Sequence, residues 1–264
     1  MKKRTRTAIL GLLLFIPFMA VGGWPMTAFI LVVATLSLWE FLRMMKIRWF
    51  SFEGILAFLM MLSIYLPRSG SLGIAWPLQP IDAFYVGVIG LFVLMVYFPQ
   101  KLTFLKLCTL SIASLYVGIG YHYLIMTRDL GLPILLYIMG IIWVNDSCAY
   151  ITGIKWGKNK LAPKISPNKT IEGALGGIGG ALVFTCLLEY VAFKGSLSFL
   201  QAILLTVILS LCGQFGDLIE SSIKRHFSVK DSGNLLPGHG GLLDRFDSML
   251  VVLPVFHYFL ALFF

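Results

Sequence analysis

Long apolar runs, each interrupted by a short polar stretch, fill almost the whole chain. They cover roughly residues 8–21, 25–42, 52–66, 81–98, 104–126, 132–150, 173–193, 199–220 and 247–264. A helix needs ~20 mostly apolar residues to cross a bilayer. The first and third runs are short, and tilted or partial insertion is expected there. The pattern predicts an all-α protein, a polytopic integral membrane helical bundle of about nine transmembrane helices.

The polar breaks orient this bundle. With the N-terminus cytoplasmic, 18 of the 21 Lys and Arg fall in inside segments, and only Arg68, Arg128 and Lys194 fall outside. That asymmetry follows the positive-inside rule, and shifting the number of spans by one scrambles it. Composition agrees: of 264 residues, 58% are hydrophobic and 12% charged, against about 25% charged in a soluble domain. The net charge of +9 is therefore assigned to topology, and no nucleic-acid partner is expected. The opening MKKRTRTAILGLLLFIPFMAVGG also has the build of a secretory signal. A retained first span is favoured, because Arg43, Lys46 and Arg48 follow the second span on the same side. Cys108, Cys148, Cys186 and Cys212 all lie in runs with no CxxC spacing, which suits packing rather than a disulfide or zinc site.

The chain changes texture midway. Residues 1–130 are N-terminal spans with few polar positions; residues 131–264 are C-terminal spans that carry nearly all the chemistry, the two forming one membrane-embedded unit. The two longest loops, 151–172 and 221–246, both face the cytoplasm in this topology. Gly173/Gly177 and Gly176/Gly180 form GxxxG pairs, suited to close helix approach in lipid. They are not the GxGxxG dinucleotide fingerprint. Gly153-Ile-Lys-Trp-Gly157-Lys158-Asn159 has too short a spacing, and no Ser or Thr after the lysine, for a Walker phosphate loop.

Charged groups inside spans are costly and usually functional. Asp146 and Asp217 lie toward the inner ends of the sixth and eighth runs; Asp244 and Asp247 open the ninth, on one face at i, i+3 spacing. The topology brings all four to one leaflet. Carboxylates without thiols suit a hard cation such as Mg²⁺, which suggests phosphates. The bland reading makes each one a helix cap or a partner for a Lys or Arg. Lys224, Arg225 and Lys230 crowd one segment, and Asp231 and Asp244 bracket Pro237-Gly-His-Gly-Gly241, whose open backbone can approach an anion. Pro167 and Thr170 read as helix-start signals beside Lys164 and Lys169, a second anion-binding prospect or a lipid-headgroup contact. His122, His226, His257, Glu40 and Glu189 are set aside; His239 remains a weak phosphate contact. A cation transporter is the main rival, although its site would be expected near the midplane.

Residues 221–247, SSIKRHFSVKDSGNLLPGHGGLLDRFD, resemble the signature of the CTP:phosphatidate cytidylyltransferases, also called CDP-diacylglycerol synthases. The pattern Ser-x-x-Lys-Arg, four residues, Lys-Asp, then His-Gly-Gly-x-x-Asp-Arg-x-Asp is matched throughout. NDSCAY and KLAPKISPNKTIEGALGG are similar to the family's companion motifs, so the likeness covers about residues 143–247. Ser147 stands where Thr is common, and Ile154 where a basic residue is frequent. The resemblance implies transfer of the cytidylyl group of CTP to phosphatidic acid for phospholipid synthesis. By it, Asp217 and Asp244 would hold Mg²⁺, with Asp247 beside them and room for a second cation. Lys224, Arg225, Lys230 and Asp231 would organise the phosphates. Asn145, Asp146, Lys169, Ser221, His239 and Arg245 would contact substrate. The expected partners are CTP, phosphatidic acid and the lipid bilayer, with a homodimer as the assembly to test. The expected location is the inner (plasma) membrane, with the site at its cytoplasmic face. No DGxxAR motif of the CDP-alcohol phosphotransferases is present.

Overall fold

The computed structural model describes residues 2–66, 79–188, 198–235, 238 and 240–263. Arg68, Glu189, Lys194 and His239 lie outside the described residues. Within them the chain forms α1 (Lys2–Val21), α2 (Gly23–Met44), α3 (Phe52–Tyr65), α4 (Pro80–Tyr97), α5 (Phe104–Leu130) and α6 (Leu132–Trp156). Strands β1 (Lys160–Ala162) and β2 (Ser166–Thr170) follow, then α7 (Ile171–Leu188), α8 (Phe199–His226) and α9 (Leu243–Phe263). Seven of these helices, α2 and α4–α9, are long and apolar enough to cross a membrane. At 14 residues, α3 is only ~21 Å long, short of the ~30 Å hydrocarbon core.

Helix starts follow local chemistry. Ser51 accepts the Gly54 N–H and caps α3. Ser198 and Gln201 close a capping box on α8, and Thr170 Oγ1 accepts the Gly173 N–H at 3.1 Å to start α7. Pro167 is not a helix start; it lies in β2. The 151–172 segment is also not a plain loop: α6 continues through Trp156, and β1 and β2 pair antiparallel, with Lys160 opposite Thr170. Glu172 secures the hairpin base, accepting N–H groups of Lys158 at 3.0 Å and Asn159 at 3.1 Å. Likewise α8 outlasts its apolar run by six residues, so Ser221, Lys224 and Arg225 are helical. Cationic side chains at a helix C-terminus complement its dipole.

The chain divides into two compact units. One comprises Met1–Asp129 with Asp231–Arg245. There Tyr65 Oη donates to the Thr27 carbonyl at 2.5 Å and Ser114 Oγ to the Ala57 carbonyl at 2.9 Å, tying α3 to α2 and α5. Arg128 donates to the Met19 and Ala20 carbonyls at 2.5 and 2.9 Å, capping the C-terminal end of α1. Gly22 permits this with a positive φ of 69°, and a Cβ there would meet the guanidinium at 2.8 Å.

The other unit comprises Leu130–Lys230 with Phe246–Phe264. Its α6–α7 seam depends on the GxxxG glycines. Gly173 and Gly177 abut the Ala149 and Asn145 carbonyls, where an added Cβ would come within 2.8 Å. Gly176 and Gly180 face Thr152 and Cys148 just as closely. Tyr137, Thr185 and Thr206 form a buried hydroxyl chain across α6, α7 and α8. The Ser248 hydroxyl ties α9 to the Gly213 carbonyl at 3.0 Å.

Gly177→Val should lower the detergent melting temperature sharply, because the seam cannot open without breaking its packing. Gly179→Ala, in open space on the same helix, should be neutral or stabilising by up to about 1 kcal/mol. Equal melting shifts in the two variants would contradict the seam.

Candidate active site

A polar layer crosses α6, α7 and α8. Asn145 is fully buried. Its Oδ1 accepts from Gln214 Nε2 at 3.0 Å, and Gln214 Nε2 also reaches the Ala174 carbonyl at 3.0 Å. Asn145 Nδ2 donates in turn to Asp146 Oδ1 at 3.3 Å. Asn145 thus orients Asp146 and joins two helices, while Asp146 itself is exposed.

Asp217 is the hub. Lys169, carried on β2, places its ammonium 2.6 Å from Asp217 Oδ2. Ser221, one turn along α8, donates to Asp217 Oδ1 at 3.2 Å. Asp146 and Asp247 both lie within electrostatic reach of the Asp217 charge. Lys169 also acts on Asp146, and Lys224 on Asp247. Three carboxylates and two ammonium groups therefore share one region of this unit. The α8–α9 approach behind it is tight: a Cβ on Gly216 would meet the Asp247 carbonyl at 2.8 Å.

One turn further along α8, Lys224 Nζ sits 2.9 Å from Glu220 Oε2. Glu220 is completely buried and Lys224 nearly so. Glu220 also lies close enough to Asp247 to act on it electrostatically. Arg225 is exposed and donates to the Ile165 and Val229 carbonyls at 3.4 and 3.2 Å, linking the hairpin and the following turn to α8. Lys230 is exposed.

The remaining sequence candidates belong to the other unit. Asp244 Oδ2 accepts the N–H groups of Ser232 at 3.0 Å and Gly241 at 2.7 Å, and the Ser232 hydroxyl at 3.0 Å. Asp231 and Arg245 are exposed. Gly240, with φ of 81°, turns the backbone back toward Asp244.

Among the described residues, no three His, Cys, Asp or Glu side chains form a ready-made metal cage. The donor chemistry nevertheless fits Mg²⁺, which is commonly held by one or two carboxylates plus substrate phosphates.

A family model described as the cytidylyltransferase family matches residues 2–263. The chain belongs to the cytidylyltransferase family. It is similar to the phosphatidate cytidylyltransferase of Bacillus subtilis, 40% identical over 266 residues and covering 100% of this chain and 98% of that protein. It is likewise similar to the proteins of that name from Staphylococcus haemolyticus and Staphylococcus saprophyticus, each 43% identical over 259 residues, with 97% of both chains covered.

Three polar residues of this cytidylyltransferase-family chain escaped the sequence reading. Gln214 and Glu220 lie within an apolar-looking helix, and Glu40 was set aside near the end of α2. Glu40 is in fact fully buried and accepts hydrogen bonds from Ser232, Leu242 and Leu243. The rule that flagged Asp146, a carboxylate inside an apolar span, applied equally to Glu40 and Glu220.

Removing one partner of a buried ion pair strands the other, at about 3–5 kcal/mol. Lys224→Met and Glu220→Leu should each destabilise by about that amount, and the double variant by much less than the sum. Additive losses on thermal unfolding would contradict the pairing.

Proposed function

We propose that this protein transfers the cytidylyl group of CTP to phosphatidic acid, releasing pyrophosphate and leaving CDP-diacylglycerol in the membrane. Near-complete coverage of relatives named for that activity supports the reaction. The observation that carries the site is Asp217, held by Lys169 and Ser221 on a membrane-grade helix, with Asp146 and Asp247 within electrostatic reach.

The chemistry matches those side chains. An oxygen of the phosphatidate phosphate attacks the α-phosphorus of CTP. The bond from that phosphorus to the bridging oxygen breaks, and pyrophosphate leaves with the electron pair. The attacking oxygen is already anionic near neutral pH, so no Ser, Cys or His nucleophile is required. The barrier is the meeting of anions and the charge that grows on the leaving group, which preorganised cations relieve. Lys169, Lys224, Arg225 and Lys230 are the cations proposed for the phosphates. Asp217 and Asp247, with Asp244 on the strength of the family motif, are the carboxylates proposed for Mg²⁺. Bound there, the ion would neutralise phosphate charge and orient the oxygens. Ser221 hydrogen-bonds Asp217, and Asn145 hydrogen-bonds Asp146.

We further propose a cytoplasmic N-terminus, nine spans and a site at the cytoplasmic face of the plasma membrane, which follows from the basic-residue asymmetry. CTP then arrives from the cytoplasm and the lipid from the inner leaflet. A cation transporter would also bury aspartates, but it leaves the 221–247 motif unexplained.

In detergent, pyrophosphate release should require phosphatidic acid and Mg²⁺ together. Asp217→Asn should lower kcat by about 10²-fold or more, with unchanged elution and melting. Wild-type turnover in that variant would remove Asp217 from the reaction.

A further inference from the structure

Glu40 lies in the last turn but one of α2 and is fully buried. Its Oε1 accepts the Leu242 N–H at 2.9 Å, and its Oε2 accepts the Leu243 N–H at 2.9 Å and the Ser232 hydroxyl at 3.0 Å. These donors lie about 200 residues away in sequence, two of them at the start of α9. Gly233 and Gly241 pack so tightly against the Glu40 carboxylate that neither can carry a Cβ without displacing it. The Ser232 oxygen that touches Glu40 also stands 3.0 Å from Asp244 Oδ2. One hydroxyl hydrogen therefore links two carboxylates, and the Ser232 and Gly241 N–H groups complete the grip on Asp244.

We infer that Glu40, acting through Ser232, is a positioning residue that fixes Ser232 and the start of α9 and thereby holds Asp244 in place. The inference rests on the proposed role of Asp244 as a metal ligand. Only a carboxylate can do this. All three donors point at it, and an amide would turn an NH₂ group toward at least one of them. Its negative charge also complements the N-terminus of α9, whose first N–H groups have no partner within the helix. A plain helix cap would need no bridge to Asp244.

The test uses full-length protein in detergent, with Glu40→Gln, the milder Ser232→Ala, and Asp244→Asn. In metal-free protein, hydrogen exchange of peptides covering 240–243 should quicken by about tenfold in Glu40→Gln. In turnover, both Glu40→Gln and Ser232→Ala should raise the half-saturating Mg²⁺ concentration about tenfold or more. The KM for phosphatidic acid should stay within about twofold. Faster exchange with an unchanged Mg²⁺ curve in both variants would reduce Glu40 to a cap and overturn the inference. Unchanged exchange in Glu40→Gln would overturn the clamp itself. Wild-type Mg²⁺ dependence in Asp244→Asn would instead overturn the ligand assignment beneath it, even with the segment loosened in Glu40→Gln.

Discussion

A charge inside an apolar helix must have a partner, and the rest of this structure depends on that constraint. An uncompensated ion at membrane depth costs at least several kcal/mol. The protein carries such charges on α2 and α8 and answers three of them with specific neighbours. Lys169 answers Asp217, Lys224 answers Glu220, and a set of backbone and hydroxyl donors answers Glu40. Lys169 and Lys224 are also among the cations proposed for the phosphates.

Backbone proximity makes the pairing possible. The four glycines of α7 draw it against α6, so that Asn145 and Gln214 can span the gap between helices. Immediately before α7, the β1–β2 hairpin is held at its base by Glu172 and touched near its tip by Arg225. It carries Lys169 to Asp217 without requiring a lysine inside a span. Small residues, a capped helix start and a two-strand hairpin thus position the charged side chains.

Much of this was legible in the sequence. The apolar runs corresponded to helices, the GxxxG pairs to a helix seam, and Thr170 to a helix cap. What the runs concealed was where helices end. Hydropathy stops at the last apolar residue, but α8 continues while its side chains remain compatible with a helix, which moves Ser221, Lys224 and Arg225 from loop to helix. The hairpin was missed because strands of three and five residues rich in Lys, Pro and Asn leave no alternating pattern. Glu40 and Glu220 were missed for a different reason. Their partners are distant backbone groups in one case and a residue one turn away in the other, and neither leaves a motif. The carboxylates of the family motif stood out because several fall close together in sequence.

The proposed reaction moves the cytidylyl group, not a terminal phosphate, to the lipid. The deciding measurement supplies the purified protein with phosphatidic acid, Mg²⁺ and CTP labelled at either the α- or the γ-phosphorus. Label from the α position should enter the lipid phase, and label from the γ position should remain in water as pyrophosphate. Lipid labelled from the γ position would mean phosphoryl transfer, and the reaction assigned to this site would be wrong.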